Sequence, residues 1–151
     1  MQTDDKSGIV CDVCATQYRS EFTYFSLDLR LVAVLQNRRP ALVQILTYPA
    51  AASFDICPAC YDGICKRVVA TYKPVQVGNR CDLSGRLLTG SYEYYYGTVA
   101  KVEVNVPAKD MRVTERILEL DVSREEYQVL VDRAGQVKAT VGQWSAEIEG
   151  M

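Results

Sequence analysis

Cys11-Asp12-Val13-Cys14 opens, and Phe54-Asp55-Ile56-Cys57-Pro58-Ala59-Cys60-Tyr61 closes, a segment whose plan recurs later in the chain. The recurrence runs from Cys81-Asp82-Leu83-Ser84 to Leu120-Asp121-Val122-Ser123-Arg124-Glu125-Glu126-Tyr127. Between these ends, residues 21–34 (EFTYFSLDLRLVAV) lie over residues 91–104 (SYEYYYGTVAKVEV) without a gap, matching Phe22 with Tyr92, Tyr24 with Tyr94, Phe25 with Tyr95 and Val34 with Val104. A recurring unit decides architecture before any single element does. The expectation is a strand-rich α+β fold, a tandem pseudo-repeat of a knuckle, a β-hairpin and a short helix. Residues 1–78 form the first unit and residues 79–151 a degenerate second one, packed on the first as one compact body.

Cys57 stands where a helix N-cap belongs, before a proline suited to the first helical position. Cys57 and Cys60 thus flank the first helical turn. The same two positions in the second unit hold Ser123 and Glu126, the S-x-x-E pattern of a capping box. Cys11 persists as Cys81 while Cys14 becomes Ser84, so the second unit keeps one thiol where the first has four. One metal ion is expected, and it belongs to the first unit.

Outward from the cysteines, residues 21–35 are rich in aromatic and β-branched side chains and read as a long strand. A turn near residues 37–40, a return strand over 41–47 and a loop over 48–53 follow. Residues 58–72 read as a helix with Tyr61, Ile64, Cys65, Val68 and Tyr72 on its buried face. In the second unit the long strand covers 92–106, the turn 107–110, the return strand 113–122 and the helix 124–134. Gly135 reads as the cap of that helix, residues 137–141 as a last strand, and Trp144 as the cover of a core edge.

Four thiols in two C-x-x-C pairs satisfy the tetrahedral requirement of an all-cysteine structural zinc site, against the alternative of free or redox-active thiols. The order of knuckle, hairpin and ligand pair on a first helical turn resembles a treble-clef zinc finger over residues 11–72, with the second unit a degenerate, metal-free version. The resemblance implies Cys11, Cys14, Cys57 and Cys60 as ligands of one structural Zn2+. It implies no particular function, because the fold serves many. Cys65 reads as a small core hydrophobe. Cys81, whose partners are missing, reads as a vestigial buried thiol.

The chain carries 17 basic and 19 acidic residues, a net charge of −2. Residues 1–78 hold 8 basic against 7 acidic residues and residues 79–151 hold 9 against 12. That balance disfavours a protein whose task is gripping phosphate backbones. Arg38, Arg39, Lys66 and Arg67 remain candidate nucleic-acid contacts in the alternative reading. Tyr92, Tyr94 and Tyr96 share one face of their strand and are candidate partner contacts; base stacking and packing against the first unit are the competing readings.

Histidine is absent, which removes the commonest general base at neutral pH. A zinc closed by four cysteines also has no open position for an activated water. The expected protein is therefore not an enzyme. No signal peptide or membrane span is legible, and an intracellular, cytoplasmic site is expected. The sequence favours a zinc-stabilised protein–protein interaction module, an adaptor or accessory subunit whose partner it does not name. A nucleic-acid-binding zinc protein and a structural component of a larger assembly, such as a phage particle, are the alternatives.

Overall fold

The computed structural model describes residues 8–35, 42–45, 51–71, 80–86, 88 and 93–149. Strand β1 (Gly8–Val10) and strand β2 (Gln17–Arg19) form a small ribbon on which the first knuckle sits. Strand β3 (Glu21–Leu35) follows, with β4 (Leu42–Ile45), β5 (Ala52–Ile56), helix α1 (Pro58–Thr71), β6 (Glu93–Asn105), β7 (Asp110–Val122) and helix α2 (Arg124–Glu149). The main sheet runs β4-β3-β6-β7. β5 pairs with β3 over Phe25–Leu29, beside β4, which pairs with Val32–Leu35.

At the centre, β3 and β6 pair antiparallel along the whole of β6, from Glu21 opposite Asn105 to Ala33 opposite Glu93. One sheet therefore spans the two halves of the chain. Alternation gives it two faces. Phe25, Leu27, Leu29, Val99, Leu120, Val122, Phe54 and Ile56 are buried on the face that α1 and α2 cover. Phe25 stacks on Tyr61 of α1 with centroids 3.8 Å apart, and Tyr95 stacks on Tyr127 of α2 at 3.7 Å. Gly97 makes room for core side chains, since a Cβ there would lie 2.8 Å from Leu29 Cδ2 and 3.3 Å from Leu120 Cδ2.

Several expectations change. α2 is one continuous helix, not a helix over 124–134 followed by a strand over 137–141, and Gly135 does not cap it. Leu130, Val131 and Ala134 are half-buried and Val137 is buried, so three- and four-residue steps carry the apolar face straight past the glycine. Gly135 lies on the exposed side, where its weak helix propensity costs at most about 1 kcal/mol and no packing. Trp144 belongs to α2, with its side chain outside the described residues.

The hairpin return in the first half is divided as well. β4 takes the far end of β3, and β5, which begins inside the expected loop over 48–53, takes the near end because Phe54 and Ile56 bury opposite Leu27 and Phe25. The expected turn over 37–40 and Tyr72 fall outside the described residues. Among the described residues no helix is long and apolar enough to cross a membrane.

Candidate metal centre

The first knuckle is a tight turn closed by hydrogen bonds from Cys11 N–H to Thr16 O (2.9 Å) and from Ala15 N–H to Cys11 O (3.0 Å). Ala15 sits at φ 66°, a left-handed conformation that glycine adopts more easily. The turn is fastened to β5 twice, by Asp12 N–H to Asp55 O (2.8 Å) and by Asp55 N–H to Asp12 Oδ2 (2.7 Å). This brace sets the knuckle against the start of α1, where Cys57 and Cys60 reside.

The sulfurs of Cys11, Cys14, Cys57 and Cys60 all lie within 4.8 Å of one another. Cys14 Sγ and Cys57 Sγ are 3.6 Å apart. A tetrahedral ion with metal–sulfur bonds of about 2.3 Å requires sulfur–sulfur edges of about 3.8 Å, so the cluster could hold a metal ion with only small adjustment. No disulfide links any of the six cysteines. Cys11 Sγ already accepts N–H bonds from Val13 (3.4 Å) and Cys57 (3.3 Å), the kind of donation that stabilises a thiolate ligand.

The four thiols differ in setting. Burial pushes Cys11 up, and burial together with the neighbouring Cys57 pushes Cys60 up. Cys14 is exposed; burial still acts on it, but the Thr16 hydroxyl, 3.0 Å from its sulfur, and the Thr16 backbone outweigh this and bring it down to about 7. The Tyr18 phenol is hydrogen-bonded to Cys57, and burial followed by that bond raises it to about 12.

A second knuckle carries the same backbone bonds with one thiol, Cys81, and a serine, Ser84, in place of Cys14. Cys81 N–H bonds Arg86 O (2.8 Å), Gly85 N–H bonds Cys81 O (2.8 Å), and Gly85 takes φ 74°. Asp82 N–H bonds Asp121 O (2.8 Å), and Asp121 N–H bonds Asp82 Oδ2 (2.7 Å). Cys81 is fully buried, and its sulfur accepts Ser123 N–H at 3.3 Å. Burial alone would raise its pKa, but hydrogen bonds from Ser84 and Ser123 outweigh burial and lower it.

Only half of the expected capping box forms here. Ser123 Oγ accepts Glu126 N–H (3.2 Å), whereas the Glu126 carboxylate turns to Arg67 (3.0 Å) because Ser123 N–H is already given to the sulfur.

The remaining candidates scatter. Tyr94 is buried at 5% exposure opposite Val32 and is withdrawn from any partner surface. Tyr96 is half-buried, hydrogen-bonded to Glu119, and lines a groove of about 680 Å³ on the sheet face away from the helices. Met111 and Val113 stand 62% and 53% exposed on that face, with Tyr24 and Arg30 across the groove. Arg67 is engaged twice, by Glu126 and by its Nε to Leu83 O (3.1 Å), and Lys66 pairs with Asp62 (3.0 Å). Arg38, Arg39 and Tyr92 lie outside the described residues.

Sequence reasoning missed Tyr18, Thr16 and Arg133, whose Nε bonds Val13 O at 2.6 Å from 120 residues away. The recurrence of an aspartate after the first knuckle cysteine and before each helix was the one legible signal for the brace. No family model, no curated protein and no solved structure matches the chain.

Proposed function

We propose that the chain is a zinc-stapled protein–protein interaction module without chemistry of its own, built from a treble-clef-like unit and a degenerate, metal-free copy. The observation that carries the reading is the four-sulfur cluster of Cys11, Cys14, Cys57 and Cys60. Four thiolates complete a tetrahedral shell around Zn2+ and leave no position for water or substrate, so the ion supplies folding energy alone. The missing histidine supports the non-catalytic reading.

Duplication is supported by correspondence in detail. Asp28 pairs with Thr98 across the central strands, two positions that the gapless alignment equates, and the pairing runs outward symmetrically from there. The knuckle bonds, the aspartate braces and the stacked aromatic pairs Phe25–Tyr61 and Tyr95–Tyr127 recur in both halves. An interaction role is supported by the open sheet face carrying Met111, Val113, Tyr24 and Tyr96. The nucleic-acid reading loses support because Lys66 and Arg67 are paired with acidic groups.

Native mass spectrometry before and after a strong chelator, together with zinc-edge X-ray absorption, tests the metal. One zinc per chain in a four-sulfur shell is expected. Zero metal, or a shell containing oxygen or nitrogen, would overturn the reading.

A further inference from the structure

Two arginines reach across the molecule in matching ways. Arg67 on α1 donates from Nε to Leu83 O in the second knuckle, and Arg133 on α2 donates from Nε to Val13 O in the first. Leu83 and Val13 occupy the same place in C-D-L-S and C-D-V-C. Each helix therefore clasps the knuckle of the other half. The Arg67 guanidinium also pairs with Glu126, which holds the position that Cys60 holds in the first half. In the metal-free half, then, an arginine and a carboxylate fasten the corner where the other half has a thiol.

We propose that Arg133 is a positioning residue of the metal centre, resting on the metal reading above: it fixes the Cys11–Cys14 turn and brings positive charge to its rim. Val13 lies between two ligands, and its own N–H points to Cys11 Sγ. Its carbonyl, held by Arg133, sets the orientation of the peptide that carries Cys14. Four thiolates around a dication leave an excess of negative charge, and a guanidinium beside them offsets it. Arginine suits the task because Nε and the terminal nitrogens donate in one rigid plane, so Nε can serve Val13 while Nη1 reaches Gln136 Oε1 at 3.4 Å. The clasp also makes α2 part of the metal site, although α2 contributes no ligand.

The test compares Arg133→Ala with Arg67→Ala in the full chain. Zn2+ affinity is read by competition with a chromophoric chelator, the coordination shell by the absorption bands of the Co2+ form, and each knuckle by amide hydrogen exchange. Arg133→Ala should weaken Zn2+ binding about 10-fold, at the low end of the effect of residues that support metal ligands because Arg133 is exposed. It should also speed exchange at residues 13–16. Arg67→Ala should instead speed exchange at residues 83–86 and leave Zn2+ affinity within about twofold.

An Arg133→Ala protein with unchanged affinity and unchanged exchange at 13–16 would overturn the proposal. Equal losses of affinity in both variants would overturn it too, by showing that global stability alone links these arginines to the metal. A wild-type chain that binds neither Zn2+ nor Co2+ would remove the metal reading itself, and Arg133 with it.

Discussion

Replacing Cys81 by alanine tests whether the second knuckle has exchanged metal binding for hydrogen bonding. Its sulfur is fully buried and accepts the N–H of Ser123, itself only 2% exposed. Truncation leaves that N–H without an acceptor inside the protein, which costs about 1–3 kcal/mol. The vacated volume adds about 1 kcal/mol. The sum, about 2–4 kcal/mol, corresponds to a fall of roughly 5–15 °C in melting temperature for a chain of this size. Cys81→Ser keeps an acceptor in place and should cost about 1 kcal/mol.

Thermal and urea unfolding of both variants, alongside elemental analysis for bound metal, gives the answer. Metal content should not change. An alanine variant as stable as the wild type would refute the argument, because the N–H…S bond would then contribute nothing. A variant that loses its metal would refute it differently, by placing Cys81 among the ligands.

Cys57→Ala should abolish metal binding and sharply lower the melting temperature, since it removes one of the four clustered thiols on which the proposed site depends; retained stoichiometric metal would contradict the site. Asp121 is raised to about 6 by burial and then by Asp82, so folding favours its neutral form; that contribution is complete below about pH 4 and is lost as the pH rises through 6. Asp121→Asn should therefore be more stable than the wild type near pH 7 by about 1 kcal/mol, allowing for solvent screening, and urea melts should show the advantage shrinking toward pH 4. Gly97→Ala should cost about 1–3 kcal/mol in chemical unfolding, because the new methyl meets Leu29 and Leu120 in the core. Gly135→Ala should raise stability by up to about 1 kcal/mol, since its Cβ meets nothing within 4 Å in mid-helix; a loss would restore the glycine as a helix cap.

The four-cysteine cluster was legible because two C-x-x-C pairs match the four-sulfur set a tetrahedral ion takes, and the fold brings those four sulfurs together. The long strands and α1 were legible because their apolar periods are unambiguous, and β3 and α1 start where the sequence places them. The end of the second half was not. Residues 137–141 alternate as a strand would, yet Val137 also sits three residues beyond Ala134, and only a core lying beneath α2 makes the helical spacing win. Tyr94 failed for a related reason, because sharing a face with Tyr96 says nothing about which part of that face is covered.

By itself the sequence determined the cysteine cluster and the strand-rich architecture, since each rests on residue type and short-range spacing. Tertiary structure alone decided that β3 and β6 join the halves in one sheet, that Glu126 pairs with Arg67 instead of completing a capping box, and that Arg133 clasps the Cys11–Cys14 knuckle from 120 residues away. These depend on which surfaces meet after folding. Contacts between residues so distant in the chain leave no periodic trace in the sequence from which they could be read.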